Sequence, residues 1–291
     1  MQKFITKSNP KPISLNVETK ELIRSQSYIG KKGYTIQKSV LSKDEYEFLK
    51  KDLFLKPFVP GAQFGNPNDP SASFPVYREN INKIYIPRFY GIQRYGVPDR
   101  CDIEPGDDIN VPFELSLRDY QVKIVDIYCN YVSKPLSKDN AHHGSGGILE
   151  VPCGRGKTIM ALNIISKLKK KTLILVHKEF LMNQWIERMN DFLPTARIGK
   201  IQGPVFDIED KDVVIGMIQS LYDKEYGPNV FSSFGLTIID EVHRIGSEQF
   251  SRTLFKTITP YMLGISATVE RKDKLSKLLY MFIGGKIYEE K

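Results

Sequence analysis

The turn Pro152-Cys153-Gly154-Arg155-Gly156-Lys157-Thr158 lies between an apolar run and a helical pattern, and it constrains this 291-residue chain more than any other feature. Its glycines let the backbone turn tightly and aim successive N–H groups at an anion, and the following helix adds its positive N-terminal end. Lys157 is then placed to reach the β- and γ-phosphates of a nucleotide, and the Thr158 hydroxyl to ligate Mg²⁺. The strict G-x-x-x-x-G-K-[ST] spacing fails only at its first position, Val151, which ends the strand. A Gly-Lys-Thr trio alone arises by chance; set between strand and helix, it predicts a phosphate loop.

A second motif supplies what the first lacks. Asp240-Glu241-Val242-His243-Arg244 follows the apolar run Leu236-Thr237-Ile238-Ile239. The Asp240 carboxylate then emerges at a strand's C-terminal end, where α/β proteins bind ligands. From there it can hold Mg²⁺, and Glu241 can polarise an attacking water as general base. By itself such a pair reads as surface ion-pair material; with the phosphate loop it predicts a catalytic site. Upstream, Leu117-Arg118-Asp119-Tyr120-Gln121 opens a helix. The Gln121 amide both donates and accepts, so it can read an adenine edge. Downstream, Ser266-Ala267-Thr268 follows the strand Met262–Ile265 and either bridges to the acidic cluster or is a plain turn.

Beyond about Leu115 the chain alternates apolar runs with helical patterns, the signature of βαβ units and a parallel sheet. Strands are expected at Gly147–Val151, Thr172–His177, Val213–Met217, Leu236–Asp240 and Met262–Ser266. Helices are expected at Thr158–Lys169, Glu179–Phe192 and Ser247–Thr257. The strands are apolar throughout, as required when helices cover both faces of a sheet. Residues 1–112 read as a small α+β accessory domain and a candidate nucleic-acid binder, and 113–291 as the nucleotide-binding α/β domain. In the former, Ser42-Lys43-Asp44-Glu45 is a capping-box pattern opening a helix through Leu53. Tyr34–Val40 and Lys83–Tyr90 read as strands, and 57–75 and 96–112 as loops.

Composition narrows the class. Charged residues are 26% of the chain and hydrophobic residues 41%, and no apolar run approaches the ~20 residues of a membrane helix. The N-terminus has no apolar signal-peptide core. Cys101, Cys129 and Cys153 show no metal or disulfide spacing, and Cys153 sits inside the phosphate loop, which implies a reducing, intracellular setting. His142-His143 lacks a suitably spaced acidic or Cys partner and reads as a solvated loop. Net charge is +8, and the first sixty residues hold 12 Lys and Arg against 6 Asp and Glu. That excess agrees with a polyanionic partner, though a solvated lysine-rich surface looks the same.

The ordered set Leu117–Gln121, Gly154–Thr158, Asp240–His243 and Ser266–Thr268 resembles the first RecA-like domain of superfamily 2 helicases. Pro152-Cys153-Gly154 and the Asp-Glu-Val-His box look most like the XPB branch. Leu173–Trp185, Ile201-Gln202-Gly203, Val214–Leu221 and Leu263–Thr268 are similar to the poxvirus transcript-release helicase group and its relatives in large DNA viruses, and Tyr85–Gly91 resembles the same group more weakly. The resemblance implies a RecA-like parallel sheet, with ATP and Mg²⁺ as cofactors. It implies ATP contacts from Arg118, Gln121, Cys153, Gly154, Arg155, Gly156, Lys157 and Thr158, and metal contacts from Thr158 and Asp240. Lys157, Asp240, Glu241 and His243 would form the catalytic set, and Ser266, Ala267 and Thr268 would couple ATP state to strand movement. His177, Lys178, Gln219 and Ser220 fall where the family grips nucleic-acid phosphates, with DNA favoured over RNA. The family's Arg-Glu-Asp element reads Arg271-Lys272-Asp273 here, which puts a strand-wedge role in doubt.

Helicases of this superfamily use a second RecA-like domain, which donates an arginine finger worth roughly 10³–10⁵ in rate. Ile283–Tyr288 resembles the linker onward, and no second arginine motif is found in this sequence. The expectation is a chain that binds ATP, hydrolyses it slowly and does not unwind until a second lobe is supplied in cis or trans. An ATP-regulated nucleic-acid clamp without turnover is the alternative, and a restriction-type translocase linked to a nuclease ranks last.

Overall fold

The computed structural model describes residues 14–55, 73–135, 145–241, 247–269 and 276–290. The N-terminal part begins with α1 (Val17–Ser25), which the sequence reading missed; Asn16 caps it by accepting the Thr19 N–H at 2.7 Å. Then come β1 (Tyr28–Gly30), β2 (Gly33–Gln37), α2 (Lys43–Asp52), β3 (Phe54–Leu55), β4 (Phe74–Pro75), β5 (Arg78–Glu79), β6 (Lys83–Ile86), α3 (Arg88–Tyr95) and β7 (Arg100–Cys101). Five of these strands form one sheet in the order β5-β6-β2-β1-β7.

Three local expectations change. Tyr34–Val40 is a strand only as far as Gln37; Lys38–Val40 form a short 3-10 turn. Ser42 does cap α2, its hydroxyl accepting the Glu45 N–H at 3.1 Å. Glu45 does not reach back to complete the box. It is buried and accepts instead from Arg94 and Tyr95, because two cationic and phenolic donors inside a core outweigh one solvent-exposed N–H. Lys83–Tyr90 is a strand only as far as Ile86. Pro87, with φ −55°, sets the N-cap of α3, so Arg88, Phe89 and Tyr90 are helical despite the β-forming side chains of Phe89 and Tyr90.

The larger sheet takes β8 (Gly146–Glu150), β9 (Thr172–Val176), β10 (Ile198–Gln202), β11 (Val205–Phe206), β12 (Val213–Met217), β13 (Leu236–Asp240), β14 (Tyr261–Ser266) and β15 (Lys286–Glu289) in the order β11-β10-β12-β9-β13-β14-β8-β15. Every pair is parallel except the β10–β11 hairpin. The helices are α4 (Asp119–Val132), α5 (Lys157–Leu168), α6 (Glu179–Phe192), α7 (Ile218–Tyr222), α8 (Ser247–Lys256) and α9 (Ser276–Ile283). The expected α/β class with a mostly parallel sheet and helices on both faces is borne out. Ile283–Tyr288, expected as a linker, instead ends α9 and supplies most of edge strand β15, pairing beside β8.

Strand residues alternate between two cores. Leu149, Ile174, Val176, Ile215, Ile238 and Ile265 pack with Val125 and Tyr128 of α4, Ala161 and Ile164 of α5, and Met182 and Trp185 of α6. Ile148, Leu173, Leu175, Val214 and Ile239 face the other way, toward Leu221 of α7, Phe250 and Leu254 of α8 and Phe282 of α9. That second core continues without a break into Ile23, Tyr34, Leu49 and Ile84 of the N-terminal part. Arg88 reinforces the join, its Nη1 donating to the carbonyls of Thr259 at 3.0 Å and Pro260 at 3.3 Å. Among the described residues no helix is long and apolar enough to cross a membrane.

Candidate active site

Strand β8 delivers the glycine turn to the carboxyl edge of the sheet, where the Val151 N–H donates to the Ser266 carbonyl at 2.9 Å. Gly154 and Gly156 both take a left-handed φ of 81°, a conformation that a side chain resists. Gly156 caps α5, and a Cβ there would lie 2.4 Å from Gln121 Nε2. Lys157 is the first residue of α5, so the unsatisfied N–H groups and positive end of a 12-residue helix border the turn.

The start of α4 holds that turn in shape. Gln121 Oε1 accepts the Arg118 N–H at 3.0 Å, and its Nε2 donates to the Arg155 carbonyl at 3.1 Å. The Tyr120 hydroxyl donates to the same carbonyl at 3.2 Å. Arg155 lays its guanidinium over the Tyr120 ring at 4.1 Å and pairs with the Glu290 carboxylate just past β15. The two motifs read separately in the sequence are therefore one hydrogen-bonded unit.

The acidic tip of β13 arrives beside it. Asp240 is 7% exposed, and its Oδ2 accepts the indole N–H of Trp185 at 2.8 Å. Burial pushes the Asp240 carboxyl above its usual value; the Trp185 hydrogen bond opposes this, the Glu241 charge adds to it, and the Glu241 N–H and Lys157 charge oppose it again. Glu241 turns off the strand with a φ of 51°, its N–H donating to the Ile265 carbonyl at 3.0 Å. Its Oε1 lies 3.7 Å from Lys157 Nζ, which is itself 3.9 Å from Cys153 Sγ. Lys157, Asp240 and Glu241 thus converge on one spot from two non-adjacent strands. His243 lies outside the described residues, as do His142-His143 and Arg271-Lys272-Asp273.

Ser266 ends β14, between β13 and β8. It is fully buried, and its hydroxyl donates to the Thr268 carbonyl at 2.7 Å across Ala267. The Ser266 carbonyl holds Val151 and the Ile265 carbonyl holds Glu241, so this turn touches both motifs through the backbone.

The other four named residues line up farther along the same edge. His177 and Lys178 follow β9, next to β13, and Gln219 and Ser220 lie in α7 after β12. Gln219 Nε2 donates to the His177 carbonyl at 2.8 Å, and Ser220 Oγ accepts the Gly203 N–H at 2.8 Å. Phe180, 56% exposed, lies 5.9 Å from the Lys178 ammonium. The sequence reading did not single out Trp185 or Glu290, since each acts on a partner 55 or 135 residues away.

Residues 114–271 match the family model described as "Type III restriction enzyme, res subunit". The chain belongs to that family. Its α/β domain is a superfamily 2 helicase/translocase ATPase domain, as the motifs implied, and the match lies over that domain. An Acanthamoeba polyphaga mimivirus protein named as an ATP-dependent RNA helicase, L396, is 33% identical over 262 residues, covering 89% of this chain and 48% of that protein. The DNA 3'-5' translocase XPB2 of Sulfurisphaera tokodaii is 31% identical over 210 residues, 70% of this chain and 43% of that protein. The chain therefore spans less than half the length of these relatives. The UvsW helicase of bacteriophage T4 shares the fold, with a TM-score of 0.55 and 16% identity over 85% of this chain and 94% of that one. Both groups of the expected resemblance, large DNA viruses and XPB, are represented.

Proposed function

We propose that the chain binds ATP with Mg²⁺ at the convergence of Lys157, Asp240 and Glu241, and couples hydrolysis to movement along a nucleic-acid strand. The observation that carries this reading is the 3.7 Å approach of Lys157 to Glu241 beside the buried Asp240 carboxylate. The donor set suits Mg²⁺, a hard cation that takes one or two carboxylates and fills its shell with phosphate and water oxygens. Thr158 and Asp240 would hold it, and it would neutralise charge developing on the phosphates. Lys157 and the first N–H groups of α5 bind the β- and γ-phosphates. Gln121 meets adenine with the amide capacity left over from its two internal bonds. Glu241 takes a proton from the attacking water as its oxygen bonds to the γ-phosphorus and ADP leaves. His243, Ser266, Ala267 and Thr268 relay the nucleotide state.

The strand track is read as His177, Lys178, Gln219 and Ser220, gripping backbone phosphates with Phe180 as a stacking face. Its support is the ridge they form on the same sheet edge as the nucleotide cluster. The relatives' names divide between RNA and DNA, so the track is proposed for a nucleic-acid strand, with DNA preferred only on the XPB-like motifs of the sequence. We take residues 1–112 as an accessory unit, whose 17 Lys and Arg against 13 Asp and Glu leave a modest positive excess toward a polyanion, and a second RecA-like lobe as the source of an arginine finger.

Glu241→Gln tests the reading under single-turnover conditions with protein in excess. It should retain nucleotide binding and slow hydrolysis by about 10²–10⁴. Hydrolysis at the wild-type rate would remove Glu241 as the base.

A further inference from the structure

Trp185 is the one tryptophan of the chain and the largest of its fully buried side chains, on the face of α6 that packs against the sheet. A core tryptophan needs only one acceptor for its N–H, and a backbone carbonyl serves for that. Here the acceptor is Asp240 Oδ2, at 2.8 Å, on a carboxylate that the nucleotide site also uses. The ring spans from the helix layer to the tip of β13, so packing of α6 against the sheet fixes the hydrogen bond.

The chemistry of the donor matters. A lysine or arginine in the same place would cancel the carboxylate's charge and compete with a cation for it. An indole N–H is neutral. It removes the rotational freedom of the carboxylate and occupies one oxygen, yet leaves the negative charge in place. Partners of this kind, which orient a metal-binding group without touching the metal, typically matter about 10–100-fold in metal affinity or activity.

We infer that Trp185 is a positioning residue of the metal–nucleotide site: its indole N–H holds the Asp240 carboxylate in the single orientation that meets Mg²⁺, and couples the ring to metal loading. This rests on the reading that Asp240 serves Mg²⁺ and ATP.

The test uses the whole chain, with a ribose-labelled fluorescent ATP followed by anisotropy while Mg²⁺ is raised. Trp185→Phe keeps an aromatic ring and removes the donor. It should raise the Mg²⁺ concentration for half-maximal nucleotide binding by about 10–100-fold, with metal-free nucleotide affinity unchanged. A packing role alone would leave the metal requirement unmoved or weaken both affinities together, and either result overturns the inference. Should Trp185→Phe fail to fold, the wild-type protein supplies its own probe. Selectively excited indole emission should change when Mg²⁺ joins ATP but not with ATP and a chelator, and Asp240→Asn should abolish that change. Emission indifferent to Mg²⁺ in a protein that binds the labelled nucleotide overturns the inference and leaves the ATP reading standing. Absence of nucleotide binding altogether removes both.

Discussion

Glu45 in the N-terminal unit and Glu241 at the nucleotide edge both face a cation, in opposite ways. Glu45 is 1% exposed; Arg94 donates to both of its oxygens at 2.5 and 2.6 Å, and the Tyr95 hydroxyl adds a third bond at 2.5 Å. Arg94 is itself stacked 4.2 Å over Phe48. The pair is closed on itself, with three of the carboxylate's four lone-pair positions taken by neighbouring side chains. Glu241 sits in a left-handed backbone, φ 51°, and meets Lys157 at a loose 3.7 Å. Strained backbone of that kind costs on the order of 1–3 kcal/mol and persists where surrounding structure imposes it. One arrangement contributes stability; the other keeps a base and an acid close without fusing them, as a site for a third, charged group requires.

The largest effect should come from opening the closed pair. Glu45→Ala leaves the part-buried Arg94 guanidinium without its carboxylate and the buried Tyr95 hydroxyl without its acceptor, and should cost up to about 3 kcal/mol, the lower end for a fully buried pair. Urea unfolding should register that loss, while labelled-ATP affinity of the remaining folded protein stays at the wild-type value. If nucleotide affinity falls in step with stability, the two regions are not separable and the comparison breaks.

Lys157→Ala is the mirror experiment. Removing one pre-placed donor to phosphate charge should slow turnover by roughly 10²–10³ and weaken nucleotide binding. Because the lysine's ion pair is loose, at 3.7 Å, the unfolding free energy should move by less than it does in Glu45→Ala. A Lys157→Ala protein that is strongly destabilised would place the lysine among structural charges with Arg94.

The same contrast explains what the sequence disclosed. Val213–Met217, Leu236–Asp240 and Glu179–Phe192 lie where the apolar periods put them, because a doubly covered sheet and its helices write their burial directly into local pattern. The hairpin of β10 and β11 escaped notice: Ile198–Gln202 is a half-buried strand near the sheet edge, interrupted by Gly199, and its apolar signal is weak. Edge strand β15 was hidden for a related reason, with only partly buried residues until its exposed end. The glycine turn and the Asp240-Glu241 pair were legible because their chemistry is local to a few residues. The groups that orient them were not. Trp185 on Asp240, Gln121 on the Arg155 carbonyl and Glu290 on Arg155 depend on which strands neighbour each other, and no spacing within one segment encodes that.

The mildest prediction sharpens what a closed charge means. Glu79, on edge strand β5 of the N-terminal unit, is partly exposed. Burial opposes its ionisation, but hydrogen bonds from Lys38 and Tyr46 and the charges of Lys38 and Lys50 win, bringing its pKa down to about 2. A carboxylate depressed in the folded state contributes stability at pH values above its unfolded pKa, and that contribution is lost as pH falls from the usual carboxylate range toward about 2. Solvent screening keeps the contribution small, so Glu79→Gln should cost less than about 1 kcal/mol at neutral pH. The difference between wild type and variant should then shrink progressively on acidification over that window. A difference that stays constant down to the acid end would mean that Glu79 stabilises by packing rather than through its charge.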